Sequence, residues 1–156
     1  MVTKIESNVF EVCVFRRKEK SPEYLLLRRS QEDTLYPGIW QVVTGTLEPD
    51  EHVQVAARRE IKEETGLSPR RMWVVPRVNM FYSAARNTVC LSPFFAAEVE
   101  ALDGIELSPE HTECRWCTIE EVAAIIPFPG QAECVRLIDQ FIRSGEQYPV
   151  FQQFVT

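Results

Sequence analysis

An α/β fold, one mixed sheet held between helices, is what this sequence predicts. Three observations carry the expectation. Short runs rich in β-branched and aromatic residues recur along the chain, each bounded by Gly, Pro or polar turn residues. Helical stretches alternate with them, two of which end on a glycine. The chain also has 156 residues, enough to bury one real core, and no repeat or linker-like tract divides it. Residues 1–156 are expected to form a single domain.

The elements follow in order. "NVFEVCVFRR" (8–17) and "EYLLLRRS" (23–30) predict two strands joined by the polar, Pro-containing "KEKSP", a hairpin-like pair. Pro37-Gly38 marks a turn before one short strand, "WQVVTG" (40–45). A helix is expected from about Glu51 to Thr65, with Gly66 placed to stop it. Two long β runs, 71–84 and 88–100, flank the turn "ARN". After a polar stretch comes the strand "CRWCT" (114–118). Thr118, with Glu121 three residues on, is a capping-box pattern for the segment "IEEVAAII". "FPGQ" reads as a break, and 131–145 as a closing amphipathic helix ended by Gly145.

Composition removes several classes. Hydrophobic residues make up 45% and charged residues 26%, the balance of an ordinary soluble domain. A net charge of −6 argues against a basic surface for nucleic acid, so an anionic ligand needs local arginines or a bound cation. No apolar run reaches membrane-spanning length and nothing at the N-terminus resembles a signal peptide. Five cysteines, an odd number set in apolar runs, read as free thiols of a reducing compartment, so the expected location is the cytoplasm. Cys114 and Cys117 form a C-x-x-C on an expected strand, without the second pair that a zinc site needs.

The informative stretch is "GTLEPDEHVQVAARREIKEETGL" (45–67). At about 100° per residue, Val53, Ala56, Ala57, Glu60, Glu64 and Leu67 share one helix face, with Glu63 at its edge. Glu51, Arg58 and Lys62 fall on the opposite, solvated side. The face therefore begins apolar and ends in carboxylates. Acids at a helix C-terminus oppose the macrodipole, and three within one turn repel each other. A hard divalent cation, which prefers carboxylate oxygens, is the simplest compensation.

Gly45, Glu51, Arg59-Glu60, Glu63-Glu64 and Gly66 occupy seven fixed positions, with aliphatic Ile61 and Leu67 between and after them. At ordinary residue frequencies such a match arises by chance roughly once in 10⁸–10⁹ starts. This is the complete signature of the Nudix hydrolase family, which the chain thus resembles. The resemblance implies the Nudix α/β/α sandwich, with a mixed central sheet, across nearly the whole chain. The stretches "LLLRRS…GIWQVVTGTLE", Arg86-Asn87 and "EHTECRW" are similar to the dihydroneopterin triphosphate pyrophosphatase branch. Val43-Thr44 stands where many relatives have a second Gly before Gly45, a form that suits this branch.

The resemblance implies roles. Glu60 and Glu64 would be the main ligands of Mg²⁺, for which Mn²⁺ can substitute. Glu63 would be a ligand or the general base, and the Gly45 carbonyl a further ligand. Arg59 would pair with Glu51 and fix the loop and helix register. Glu110, ahead of the last strand, would bring an acid from outside the box, with Glu113 as the alternative. Of Arg28 and Arg29 at a strand end, Arg29 is the candidate for substrate phosphates. Trp40, Gln41, Phe81 and Tyr82 are candidates for holding a base or pterin, although aromatics in strands are commonly core.

The implied reaction is Mg²⁺-dependent hydrolysis of a nucleoside triphosphate-like molecule to monophosphate and pyrophosphate. Dihydroneopterin triphosphate and a (d)NTP such as dATP are the expected small-molecule substrates, with no membrane or nucleic-acid partner. The alternatives are a dinucleoside polyphosphate hydrolase, or a nucleotide-sensing module without turnover.

Overall fold

β2 (Val9–Arg16) and β3 (Glu23–Arg29) pair antiparallel, with Phe15 opposite Tyr24, and form the hairpin expected from their turn. The computed structural model describes residues 2–100 and 102–155. Its nine strands make one mixed sheet in which β2 also pairs in parallel with β7 (Thr88–Glu98). β7 in turn pairs with β6 (Arg71–Ser83), and a short β9 (Gln152–Gln153) closes that edge. β8 (His111–Cys117) lies on the other side of β3. β1 (Lys4–Glu6), which the pattern did not announce, runs parallel to the start of β7.

Alternation along β2 builds both layers. Phe10, Val12 and Val14 point to one face, where Ala56, Ala57 and Ile61 of α1 (Val53–Thr65) cover them. Cys13 and Phe15 point to the other, beneath Val135, Ile138 and Phe141 of α3 (Pro129–Arg143). A strand buried on both sides must be apolar at consecutive positions, and β2 is from Val9 to Phe15, with one exception. That exception is Glu11.

Four expected boundaries shift, three of them for a local reason. The expected strand 40–45 is two: β4 (Trp40–Gln41) pairs β3, and β5 (Val43–Thr46) pairs β2. The chain changes partner at Val42, whose N–H leaves the ladder and donates to Gln131 Oε1 at 3.2 Å. α1 begins at Val53 rather than Glu51, because Asp50 turns the chain at φ 61° and His52 Nδ1 caps the Gln54 N–H at 3.2 Å. Glu51 is thus in the loop and mostly buried, not on a solvated helix face. Pro129-Gly130 opens α3 instead of preceding it, since Pro in a helix's first turn loses no hydrogen bond. The capping box of α2 (Ile119–Ile125) is present in full, and β8 starts at His111.

Glu11 is 8% exposed and accepts a 2.6 Å hydrogen bond from Asn79 Nδ2 on β6, with the Gln131 amide of α3 as a further partner. Burial pushes its pKa up to about 7, against the pull of those two amides. A raised acid pKa means stability is given up as pH climbs from the unfolded value, near 4.5, through 7. Glu11→Gln, which keeps an acceptor for Asn79, removes that loss. We expect its unfolding midpoint, relative to the parent, to rise between pH 4.5 and pH 8 in paired thermal melts; a constant difference would show that Glu11 does not titrate in this range.

Candidate active site

The last turns of α1 carry the site. Gly45 on β5 lies so close beneath them that a Cβ there would come 2.5 Å from both Glu60 Cγ and Phe10 Cζ. Only a residue without a side chain lets the helix settle onto the strand at this point. At the far end Gly66 adopts φ 74°, and its N–H returns to the Lys62 carbonyl at 2.9 Å, ending the helix after the acids.

Arg59 organises the carboxylates. Its Nε and Nη2 each donate at 2.8 Å to the two oxygens of Glu51, a bidentate pair. Its Nη1 reaches Glu60 at 2.8 Å and Glu63 at 3.2 Å, and Nη2 also reaches the Thr46 carbonyl. The guanidinium holds the Glu51 carboxyl well below its usual range, at about 2. Glu60 is pushed the other way, by burial first, although Arg59 opposes this.

Glu64 differs from its neighbours. It is 4% exposed, and its Oε2 has no hydrogen-bond partner among the described residues. Burial, then the charges of Glu60 and Glu110, raise its pKa to about 9, with the Arg29 cation pulling weakly against them. A buried carboxyl facing other acids and short of donors calls for a cation. Oxygen donors alone, several of them charged, suit a hard ion such as Mg²⁺. Among the described residues no three ligand side chains already stand as a coordination set. Arg59 takes one oxygen of Glu60 and one of Glu63 for itself.

Glu110 comes from outside the helix. Its loop is pinned to the end of α1 by Glu106 N–H to the Thr65 carbonyl at 2.8 Å and Ser108 N–H to the Glu64 carbonyl at 3.2 Å. Ser30 N–H also donates to the Glu110 carbonyl at 3.0 Å, tying the loop to the end of β3. Glu113 is on β8 and pairs with Arg28 at 2.8 Å at the surface. The two acids therefore part company: Glu110 is near enough to raise Glu60 and Glu64, and Glu113 serves Arg28.

Arg29 lies towards Glu64 and is held by Asp33 at 2.7 Å and Gln41 at 3.5 Å. Its Nε, the Ser108 hydroxyl and His111 Nδ1 are buried without hydrogen-bond partners among the described residues. Burial and the Arg29 cation hold His111 down near 4, so its imidazole is neutral at pH 7. Gln41 also donates to Thr44 at 3.4 Å, and Trp40 packs against the α3-side core. Phe81 and Tyr82 are not core: they are 46% and 57% exposed towards the tip of the β6–β7 hairpin. No hydrogen bond or ring contact among the described residues ties them to the carboxylates. Asp33 and Ser108 were not singled out from the sequence; the four-residue spacing from Arg29 is the signal that could have marked Asp33.

Similarity to known proteins fits this geometry. The NUDIX domain model matches residues 7–138. Over 115 residues the chain is 32% identical to the Escherichia coli phosphatase NudJ, covering 72% of this chain and 71% of that one. It is 34% identical over 132 residues to a Myxococcus xanthus octanoyltransferase, of whose length the match spans only 34%. Among solved structures, a Caenorhabditis elegans Ap4A hydrolase complex superposes with a TM-score of 0.72 at 22% identity, over 92% of this chain and 99% of that one. At that identity the likeness is one of fold.

The Gly45 contact is open to direct test. Gly45→Ala must displace Glu60 or Phe10, and overpacking of this kind costs about 1–3 kcal/mol. A lower denaturation midpoint together with reduced activity is expected; an unchanged midpoint would mean that the helix does not sit down on β5 as described.

Proposed function

The chain belongs to the Nudix hydrolase family, and from that premise we propose that it is a Mg²⁺-dependent pyrophosphohydrolase of nucleoside triphosphate-like molecules. Dihydroneopterin triphosphate, or a (d)NTP such as dATP, is cleaved by water to the monophosphate and pyrophosphate. The observation that carries the reading is the unpartnered, buried oxygen of Glu64 beside Glu60 and Glu110. Residues so placed have no role in packing that an apolar side chain would not perform better.

Glu60, Glu63, Glu64, Glu110 and the Gly45 carbonyl would hold the ion. When bound, it neutralises charge on the phosphate oxygens and supplies an acidified water. Arg59 keeps Glu51, Glu60 and the loop at Thr46 in register, so these groups are held before any ligand arrives. Glu63, at the helix edge and more than half exposed, would serve as a ligand of the ion or, through the oxygen Arg59 does not hold, as the general base for the attacking water. Arg29, presented by Asp33 and Gln41, steadies phosphate oxygens.

A dinucleoside polyphosphate is the second reading, supported by the likeness to the C. elegans Ap4A hydrolase fold. An intact signature speaks against a sensing module without turnover. We place the protein in the cytoplasm, a reading supported by five free cysteines. No helix among the described residues is long and apolar enough to cross a membrane.

Chelation with EDTA is expected to stop hydrolysis, and Mg²⁺ or Mn²⁺ to restore it; turnover that survives the chelator rules the metal out. Glu64→Gln should fold and lose roughly 10²-fold or more in kcat, the scale of a lost charge-stabilising group. Glu110→Gln should weaken apparent Mg²⁺ affinity and cut the rate by roughly 10- to 100-fold, as for a supporting contact. Glu113→Gln, which loses only an exposed pair with Arg28, should stay near the parent rate. The reverse order would reassign the loop acid. Phosphorus NMR of the quenched reaction should show pyrophosphate, and stepwise orthophosphate as the main product would contradict the proposed cleavage.

A further inference from the structure

On the sheet face covered by α3, one row of side chains is polar where packing calls for apolar ones. Thr44 on β5 stands directly opposite Glu11 on β2, and Asn79 on β6 directly opposite Ser92 on β7. Glu11 is paired in register with Phe94, two residues from Ser92, so the row crosses four neighbouring strands on one face. Gln131, from the first turn of α3, reaches down onto it. All but Thr44 are at most 8% exposed.

The row is not satisfied by its own members. Ser92 is 1% exposed, and its hydroxyl has no partner among the described residues. Glu11 has only side-chain amides for partners, and no ion pair among the described residues includes it. Asn79 is locked in place: Gly130 presses on it so closely that a Cβ there would be 2.7 Å from its Oδ1. Fixed amides, a carboxyl and a spare hydroxyl set side by side on one sheet face are the makings of a site that reads a planar polar edge.

Its surroundings suit a ring. Phe81, two residues from Asn79 and therefore on the same face, is the half-exposed aromatic left unexplained above. Phe128, one turn before Gln131, stacks edge-on with Tyr36 at 5.3 Å, and Trp40 packs alongside in the same cluster. The row also joins the carboxylate site through a polar track. Arg29 meets Gln41 at 3.5 Å, Gln41 meets Thr44 at 3.4 Å, and Thr44 is opposite Glu11.

We infer that Glu11, Asn79, Ser92 and Gln131 are the specificity-determining residues for the substrate's ring, and that they select a 2-amino-4-oxo-pyrimidine edge, the edge shared by guanine and pterin, over the 6-amino edge of adenine. This rests on the triphosphate-hydrolase reading above. A carboxylate accepts the adjacent ring N–H and amino N–H together, and those donors favour its ionised form, since the nearby Arg77 guanidinium reaches Asn79 Oδ1 at 3.4 Å and makes no ion pair with Glu11 among the described residues. The Asn79 amide and the Ser92 hydroxyl are then donors for the exocyclic oxo oxygen. Adenine presents a ring nitrogen acceptor where the carboxylate needs a donor, and leaves it unpaired. An amide in place of Glu11 reverses this logic, because Gln offers one acceptor and one donor, the complement of adenine.

The test is a ratio, which cancels any general loss of folded protein. Titration calorimetry with guanosine 5′-monophosphate and adenosine 5′-monophosphate, in Mg²⁺, should show the parent binding the guanine compound roughly 10- to 100-fold more tightly. Glu11→Gln should abolish or invert that ratio. If Glu11→Gln gives no soluble protein, Ser92→Ala is measured in its place and should lower the ratio several-fold. A parent ratio at or below one, or equal weakening of both compounds in the variant, overturns the assignment. Pyrophosphate release from dihydroneopterin triphosphate, dGTP and dATP is followed in parallel. No release from any of the three defeats the hydrolase reading, whereas release with equal kcat/KM on dGTP and dATP defeats the ring assignment alone.

Discussion

One guanidinium holds the acidic end of α1 together. Arg59 donates to Glu51, Glu60 and Glu63 and to the Thr46 carbonyl, so the loop, the strand and the helix meet at a single side chain. Lysine could not do this, because the contacts need five donors fixed in one plane. With Arg59 in place, acids that would repel one another stay in position. Glu64 is the one it does not reach, and Glu64 is the carboxyl left buried with a free oxygen.

The close approach at Gly45 follows from the same constraint. Arg59 can touch both Thr46 and Glu51 only if α1 lies almost on β5, and Ala56 and Ala57 make that possible one turn earlier. The loop bearing Glu110 is then docked against the helix end by two backbone hydrogen bonds. Backbone bonds fix a loop without using side chains, which leaves the Glu110 carboxylate available. Helix, strand and loop are thus tied together at the acidic end of α1.

The two faces of the sheet differ in what they bury. The α1 face carries the carboxylates proposed to hold the ion. The α3 face carries a row of amides and one raised-pKa carboxyl, and the break at Val42 between β4 and β5 lets Gln41 and Thr44 bridge the two. That break costs a ladder bond, which Gln131 replaces. A single strand from 40 to 45 would keep the ladder but leave the edge without this link.

The sequence by itself determined the α/β class, the hairpin, the capping box and the acidic helix, because each depends on neighbours a few residues apart. The pairing of Arg59 with Glu51 was likewise legible, since it lies within one recognisable spacing. Tertiary structure decided the rest. Which strand β4 and β5 pair with, whether Glu110 or Glu113 faces the helix, and that Phe81 is exposed depend on contacts between distant segments. Glu11, Asn79, Ser92 and Gln131 are spread over 120 positions and carry no common spacing. Each alone reads as an ordinary polar residue. Only the register of three strands and the seat of α3 bring them into one row, because hydrogen-bond ladders, not local propensity, set which side chains become neighbours.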